Sequence, residues 1–339
     1  MKQIAVIGAG SWGTVLANVL ADNGHDVTLW ARKEEIANEI NTFHRNHAYL
    51  VEAEFHPNLT ASSSLEAVVK NKEVVLFVVP SHAMRDMLIK IKPYVRTDAL
   101  LIHATKGFEQ ESWKRMSEVI AEELPEWHDK IVVLSGPSHA EEVIRRSPTT
   151  VVVASSCQDS AELTQTIFIN SYFRVYTNPD VVGVEIGGAL KNIIALATGL
   201  ADGLGYGDNA RAALMTRGLA EIARVGSAMG AEPITFVGLA GVGDLIGTCT
   251  SKHSRNWRAG YAISQGKSLS EVLSEMKMVV EGVKTTRAGH ALKEKYNIEM
   301  PITEQLYAVL FQDKDPKLAV EDLMNRGKTR ELQEMAQGW

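Results

Sequence analysis

The sequence predicts a doubly wound α/β domain followed by an all-helical domain, divided near residue 180. Three observations carry this. Short, near-continuous apolar runs alternate with helical patterns through the first half, as in a mostly parallel sheet covered on both faces. A glycine-rich turn joins the first apolar run to the first helix. Beyond Pro179 the strand texture stops and helical periodicity takes over.

Taken in order, "QIAVIG" reads as the first strand and "WGTVLANVLADNG" as a helix closed by Gly24. "DVTLWA", "EVVLFVVP", "ALLIHAT", "KIVVLSG" and "TTVVVAS" continue the strands, with helical patterns between them, and "FRVYTN" ends the series. Helices are expected over 182–201, 209–229, 254–265, 268–276, 281–296 and 301–312. The expected domains are therefore 1–179 and 180–339.

Bulk properties narrow the function classes. A chain of 339 residues suits two domains of ~100–200 residues each. Its 45% hydrophobic content is enough for sizeable cores, and its net charge of −6 argues against a general nucleic-acid surface. Cys157 and Cys249 give no disulfide framework and fit a reducing cytosol. Cys249 and His253 are too few for a metal site, and none is expected. The apolar start is too short for a signal peptide. The apolar stretch at 181–204 carries Glu185, Lys191, Asn192 and several glycines, which argues against a membrane span.

The glycine turn is Gly8-Ala9-Gly10-Ser11-Trp12-Gly13, a G-x-G-x-x-G pattern between a strand and a helix. Gly8 would permit the tight turn. Gly10 would let a pyrophosphate approach the backbone, and Gly13 would let helix pack on strand. The helix N-terminus adds N–H donors and a positive dipole end. The motif in this context predicts dinucleotide binding. The second strand ends in Trp30-Ala31-Arg32-Lys33, with no acid at its end to hold a ribose 2′-hydroxyl. Arg32 and Lys33 suit a 2′-phosphate, so NADP(H) is expected to be favoured over NAD(H). A solvated basic pair is the alternative.

Other candidates cluster beyond strand ends and in the helical half. Lys106 in "ATKGFE" and Gly136, Ser138 and Ala140 in "LSGPSHAEEV" follow predicted strands, where ligands bind in such sheets. In "GGALKNIIALATG", Lys191 lies off the core face formed by Ile186, Leu190, Ile193, Ala197 and Leu200. Its neighbours Gly187, Ala195 and Thr198 are small. Either Lys191 reaches back to water, or the small residues leave room for a ligand. Gly238, Gly241, Gly243 and Gly247 predict a flexible or tightly turning segment around Asp244. Ser254-Arg255-Asn256 opens a helix, with Ser254 as N-cap. With Arg255 and the first free N–H groups it would form an anion site suited to phosphate.

The segments "GAGSWGT", "ATKG", "GPSHAEEV", "GGALKNIIALATGLADGLGYGDNARAAL", "LAGVGDLIGTCTSKHSRN" and "VVEGVKTT" occur in this order across almost the whole chain. Together they resemble the bacterial NAD(P)-dependent glycerol-3-phosphate dehydrogenases. The resemblance implies a Rossmann-type dinucleotide-binding domain followed by a helical substrate-binding and catalytic domain. It implies Lys191 as general acid/base. Lys106, Gly136, Ser138, Lys191, Asp244, Ser254, Arg255 and Asn256 would meet substrate. Gly8, Gly10, Ser11, Trp12, Gly13, Lys106, Gly136, Ala140, Arg255, Val279 and Glu281 would meet cofactor, with Arg32 and Lys33 near the adenosine ribose.

The implied reaction is reversible reduction of dihydroxyacetone phosphate to sn-glycerol 3-phosphate, supplying phospholipid synthesis in the cytoplasm. The partners implied are this small-molecule pair, with neither nucleic acid nor stable membrane association; the assembly considered is a homodimer. Two rivals stand beside it. A hydroxy-acid dehydrogenase would need carboxylate recognition at 254–256. A nonenzymatic NADP-sensing module would leave Lys191 and the Ser-Arg-Asn cluster without a role.

Overall fold

The apolar runs of the first half form strands β1 (Gln3–Ile7), β2 (Asp26–Trp30), β3 (Leu59–Ser62), β4 (Val74–Phe77), β5 (Leu100–His103), β6 (Ile131–Ser135), β7 (Thr149–Ala154) and β8 (Phe173–Asn178). In this computed structural model, which describes residues 1–51, 53–252, 254–276, 279–328 and 331, they make one sheet in the order β3-β2-β1-β4-β5-β6-β7-β8. The chain divides into two units, Met1–Val181 and Val182–Trp339. Every pairing from β3 to β6 is parallel; β7 runs antiparallel to β6, and β8 parallel to β7. Strand order reverses between β1 and β4, which makes the crevice beyond their carboxyl ends the natural ligand site.

The predicted fold class is borne out, with β3 as an addition. β3 is short and reads Leu-Thr-Ala-Ser, so neither length nor apolarity marked it. Both sheet faces are covered, as continuous apolar strands require. Ile4, Val6, Val27, Leu29 and Leu76 pack into one core. The intervening Ala5, Ile7, Val75 and Phe77 pack into another. Between the strands run α1 (Ser11–Asp22), α2 (Glu34–Phe43), α3 (Leu65–Val69), α4 (Met84–Ile91), α5 (Met116–Glu123), α6 (Ala140–Val143) and α7 (Gln158–Phe168).

The second unit contains α8 (Val181–Gly203, whose first residue closes the first unit), α9 (Asp208–Ala228), α10 (Asp244–Thr250), α11 (Arg255–Ser264), α12 (Leu269–Glu275), α13 (Glu281–Tyr296), α14 (Pro301–Phe311) and α15 (Pro316–Met324). By length and composition α8 could cross a membrane, but 89% of its apolar window is buried within the fold. It is a core helix buried on all sides from Gly183 to Ala201. Lys191 therefore does not sit on an open face, as its place on the helical period suggested. It is 6% exposed. One of its small neighbours, Gly187, is taken up by packing. A Cβ on Gly187 would lie 2.4 Å from the Ala240 carbonyl oxygen, so this glycine admits a neighbouring backbone.

One buried acid makes the second unit pH-sensitive. Pro301 opens α14 without an N–H, and the next two N–H groups are capped by Glu221 of α9. Ile302 N–H donates to Oε1 at 2.5 Å; Thr303 N–H and Oγ1 donate to Oε2 at 3.1 and 2.9 Å. Burial pushes the Glu221 carboxyl up to about 7, against the pull of these bonds and of Arg224. An unfolded glutamate releases its proton near 4.5, so the folded state holds the proton more tightly. Stability contributed by protonated Glu221 is complete below about 4.5 and is lost as pH rises to about 7. The difference in thermal stability between wild type and Glu221→Gln should therefore shift between pH 5 and pH 8, by up to ~1.4 kcal/mol per pH unit inside the window. A constant difference across that range contradicts the assignment.

Candidate active site

The glycine turn joins β1 to α1 as the motif predicted. Gly8 has φ +119°, and a Cβ there would lie 2.4 Å from the Val78 carbonyl oxygen beyond β4. A Cβ on Gly13 would lie 1.9 Å from the Gly8 carbonyl oxygen. At Gly10 a Cβ would meet nothing within 4 Å, so the space beside this residue is open. Gly10 is the extended N-cap of α1 and supplies no side-chain cap. The turn thus presents helix N–H donors to an open space with no side chain in the way, a fit for a dinucleotide pyrophosphate.

The remaining first-unit candidates line the same sheet edge, because β2, β1, β4, β5 and β6 are parallel and their carboxyl ends coincide. Ser11 is half-buried and donates from Oγ to the Tyr49 carbonyl at 3.2 Å; Trp12 packs partly buried on the core. Arg32 and Lys33 are exposed just past β2, and Lys33 is the N-cap of α2. Lys106 is half-buried three residues past β5. Thr105 before it is anchored to the Val79 carbonyl at 2.8 Å, and Gly107 after it has φ +112°. Past β6, Gly136 has φ +130°, Ser138 Oγ donates to the Gly136 carbonyl at 3.1 Å, and Ala140 begins α6.

In the second unit Lys191 and Asp244 form a buried ion pair from α8 to α10. Lys191 Nζ also donates to Thr248 Oγ1 at 2.6 Å, and Thr248 Oγ1 donates to the Asp244 carbonyl at 2.7 Å. The segment before α10 turns tightly, one of the two readings its glycines allow, with a kink at Gly241 (φ −94°, ψ −106°). Pro233–Val237 makes one short turn, and Leu239–Gly243 runs directly into α10. Gly187 accepts that turn against α8, which brings Asp244 to Lys191. A desolvated pair is costly unless it is well bonded, and the three-way contact supplies the bonds. Cys249, next to Thr248, is fully buried, and its thiol is pushed up to about 11 by burial, which makes it inert. His253 lies outside the described residues.

A second buried chain of bonds ties α8, α11 and α13 together. Asn256 donates from Nδ2 to Asn192 Oδ1 at 2.8 Å and accepts the Gly282 N–H on Oδ1 at 2.8 Å. Asn192 Nδ2 reaches Glu281 Oε2 at 3.5 Å. Ser254 caps α11 as expected, its Oγ accepting the Trp257 N–H at 3.3 Å. Arg255, the first residue of α11, spends one donor on the Val279 carbonyl at 3.1 Å. The structure thus gathers Lys191 with Asp244, and Ser254, Arg255 and Asn256 with Val279 and Glu281. It adds Thr248 and Asn192, neither of which the sequence marked as a site residue. Thr248 is four residues from Asp244 and would have shared its face had the glycine-spaced segment been read as helix.

Comparison with known proteins identifies the family. The family described as "NAD-dependent glycerol-3-phosphate dehydrogenase N-terminus" matches residues 3–161, and its C-terminal counterpart matches residues 180–321. A Lysinibacillus sphaericus protein named "Glycerol-3-phosphate dehydrogenase [NAD(P)+]" is 55% identical over 336 residues, covering 99% of each chain. A Bacillus thuringiensis protein of the same name is 58% identical over 334 residues, covering 98% of each. A solved structure of glycerol-3-phosphate dehydrogenase from Coxiella burnetii superposes with a TM-score of 0.91 at 40% identity, over 96% of this chain and 99% of that one.

Proposed function

Because this chain belongs to the NAD-dependent glycerol-3-phosphate dehydrogenase family, we propose that Lys191 is its proton donor and that Ser254, Arg255 and Asn256 build its phosphate site. The enzyme is an NAD(P)-dependent oxidoreductase that reduces dihydroxyacetone phosphate to sn-glycerol 3-phosphate, reversibly. The buried Lys191–Asp244–Thr248 cluster carries the reading of the site.

The nicotinamide, when bound, supplies the hydride that reduces the substrate's C2. The chain's own residues do the rest. Lys191 Nζ donates a hydrogen bond to the C2 carbonyl oxygen, stabilises the negative charge that grows there, and delivers the proton. Asp244 and Thr248 fix the direction of Nζ, so the ammonium needs no reorganisation when charge develops. Arg255 and the first N–H groups of α11 hold the phosphate, and Ser254 shapes that turn. Asn256, locked between Asn192 and Gly282, sets where α11 begins. Binding the remote phosphate places C2 for transfer. In the first unit Gly8, Gly10, Ser11, Trp12 and Gly13 take the pyrophosphate side of the cofactor. Lys106, Gly136, Ser138 and Ala140 complete that edge toward substrate and nicotinamide, with Val279 and Glu281 as second-unit cofactor contacts.

The free cysteines Cys157 and Cys249 support a cytoplasmic setting. There the product would feed phospholipid synthesis and the chain would work without stable membrane association, as a homodimer. The reaction is tested by following NADPH oxidation with dihydroxyacetone phosphate against a 2-keto acid. Turnover confined to the phosphate substrate is expected; preference for the keto acid contradicts the reading, and no turnover of either favours a nucleotide sensor.

Arg32 and Lys33 support NADP(H) as the favoured cofactor, with NAD(H) also used. Replacing both by Ala should raise KM for NADPH about tenfold more than KM for NADH, since exposure reduces the worth of bonds to the 2′-phosphate. Equal effects on the two cofactors would reduce the pair to general surface charge.

A further inference from the structure

The turn after α2 is built around a fully buried side chain, Asn46. His44, with φ +50°, ends α2, and Tyr49 and Leu50 N–H close a turn on the Asn46 carbonyl at 3.1 and 2.8 Å. Asn46 Nδ2 donates to the Ala9 carbonyl within the glycine turn and to Thr14 Oγ1 on α1, both at 3.1 Å. Its Oδ1 is buried and has no hydrogen-bond partner among the described residues. Ser11 Oγ returns a bond to the Tyr49 carbonyl at 3.2 Å. Asn18, one helical turn beyond Thr14, accepts the His56 N–H at 2.7 Å. Asn46, Tyr49 and His56 are thereby stitched along α1 and onto the glycine turn.

The bond to Ala9 matters because of peptide geometry. In a planar trans peptide the C=O and the following N–H point in opposite directions. Holding the Ala9 carbonyl inward therefore turns the Gly10 N–H outward, at the residue whose surroundings are open. Without that grip, opposite rotations about the two flanking bonds could reorient this peptide, and glycine places little steric limit on its own share. Asn46 commits both of its amide donors to this task, one to the glycine turn and one to α1.

The geometry points to Asn46 as a positioning residue for the cofactor: it holds the Ala9–Gly10 peptide so that the Gly10 N–H faces the pyrophosphate. This rests on the reading of the first unit as the NAD(P) site. The test is the dissociation constant of the full-length protein for NADPH and for NADH, with steady-state kinetics and melting temperature, in wild type, Asn46→Ala and Asn46→Ser. Asn41→Ala serves as a structural control, because the two 2.8 Å bonds that Asn41 exchanges with Ala61 tie α2 to β3 rather than to the glycine turn. NADPH and NADH should weaken by the same factor, about tenfold, since both carry the pyrophosphate. At saturating cofactor, kcat and KM for dihydroxyacetone phosphate should stay near wild type. Asn41→Ala should lower the melting temperature without moving either dissociation constant. If wild type binds both cofactors and the Asn46 variants bind them equally well while melting lower, Asn46 is only a fold residue and the inference fails alone. If wild type binds neither cofactor, the reading of the first unit fails and takes this inference with it.

Discussion

Lys191→Ala should lower kcat by roughly 10²- to 10⁴-fold, the range for loss of a general acid, while NADPH binding stays close to wild type. The cofactor turn lies in the first unit and does not include this side chain. The variant should also melt at a lower temperature. Its place on the helical period suggested a lysine that folding could spare, but Lys191 and Asp244 are 7% and 2% exposed in their side chains. Removing the ammonium leaves a buried carboxylate without its partner, a change that costs about 3–5 kcal/mol in comparable pairs. Cofactor affinity measured on the same preparation separates lost chemistry from lost fold. A near-normal kcat would move the proton donor elsewhere, with Lys106 the first alternative.

Arg255→Ala should lower kcat/KM for dihydroxyacetone phosphate by about two to four orders of magnitude. The guanidinium opens α11 beside the Ser254 cap, and its contact with the Val279 carbonyl fixes its direction. In the proposed site phosphate binding at Arg255 places C2, so the loss should appear in kcat as well as in KM. Cofactor affinity should fall too, because the proposed cofactor contact Val279 is held by the same arginine. The informative quantity is the preference for dihydroxyacetone phosphate over dihydroxyacetone, which the variant should largely lose. An unchanged preference, with both substrates equally impaired, would place the phosphate elsewhere.

What the sequence discloses is what lies close together along it. The glycine turn, the basic pair after β2 and the Ser254 cap are each written in a few consecutive residues, and each is found where local rules place it. β3 escapes because four residues of mixed polarity carry no period. The contact between Lys191 and Asp244 spans 53 positions, and no local pattern announces it. The glycines near both ends of that contact leave a local reading open. Gly187 reads as room beside Lys191 or as part of a helix face, and Gly241 as flexibility or a tight turn. A Cβ on either would strike backbone, at 2.4 Å from Ala240 and 2.0 Å from Phe236. They are the means by which one segment packs onto another, and that purpose shows only in three dimensions. Asn46 is the extreme case: an ordinary polar residue in a polar stretch, given meaning by a carbonyl 37 positions away.

The central claim is that one unit reads a phosphate at residues 254–256 and protonates the carbonyl oxygen presented to Lys191. The most direct test is the ratio of kcat/KM for dihydroxyacetone phosphate to that for dihydroxyacetone, measured with wild-type protein and saturating NADPH at the nicotinamide absorbance band. The two substrates differ only in the phosphate. If remote binding energy positions the reacting carbon, the ratio should be about 10³ or greater. A ratio within about tenfold of unity, less than one well-formed charge-assisted contact provides, would contradict the claim.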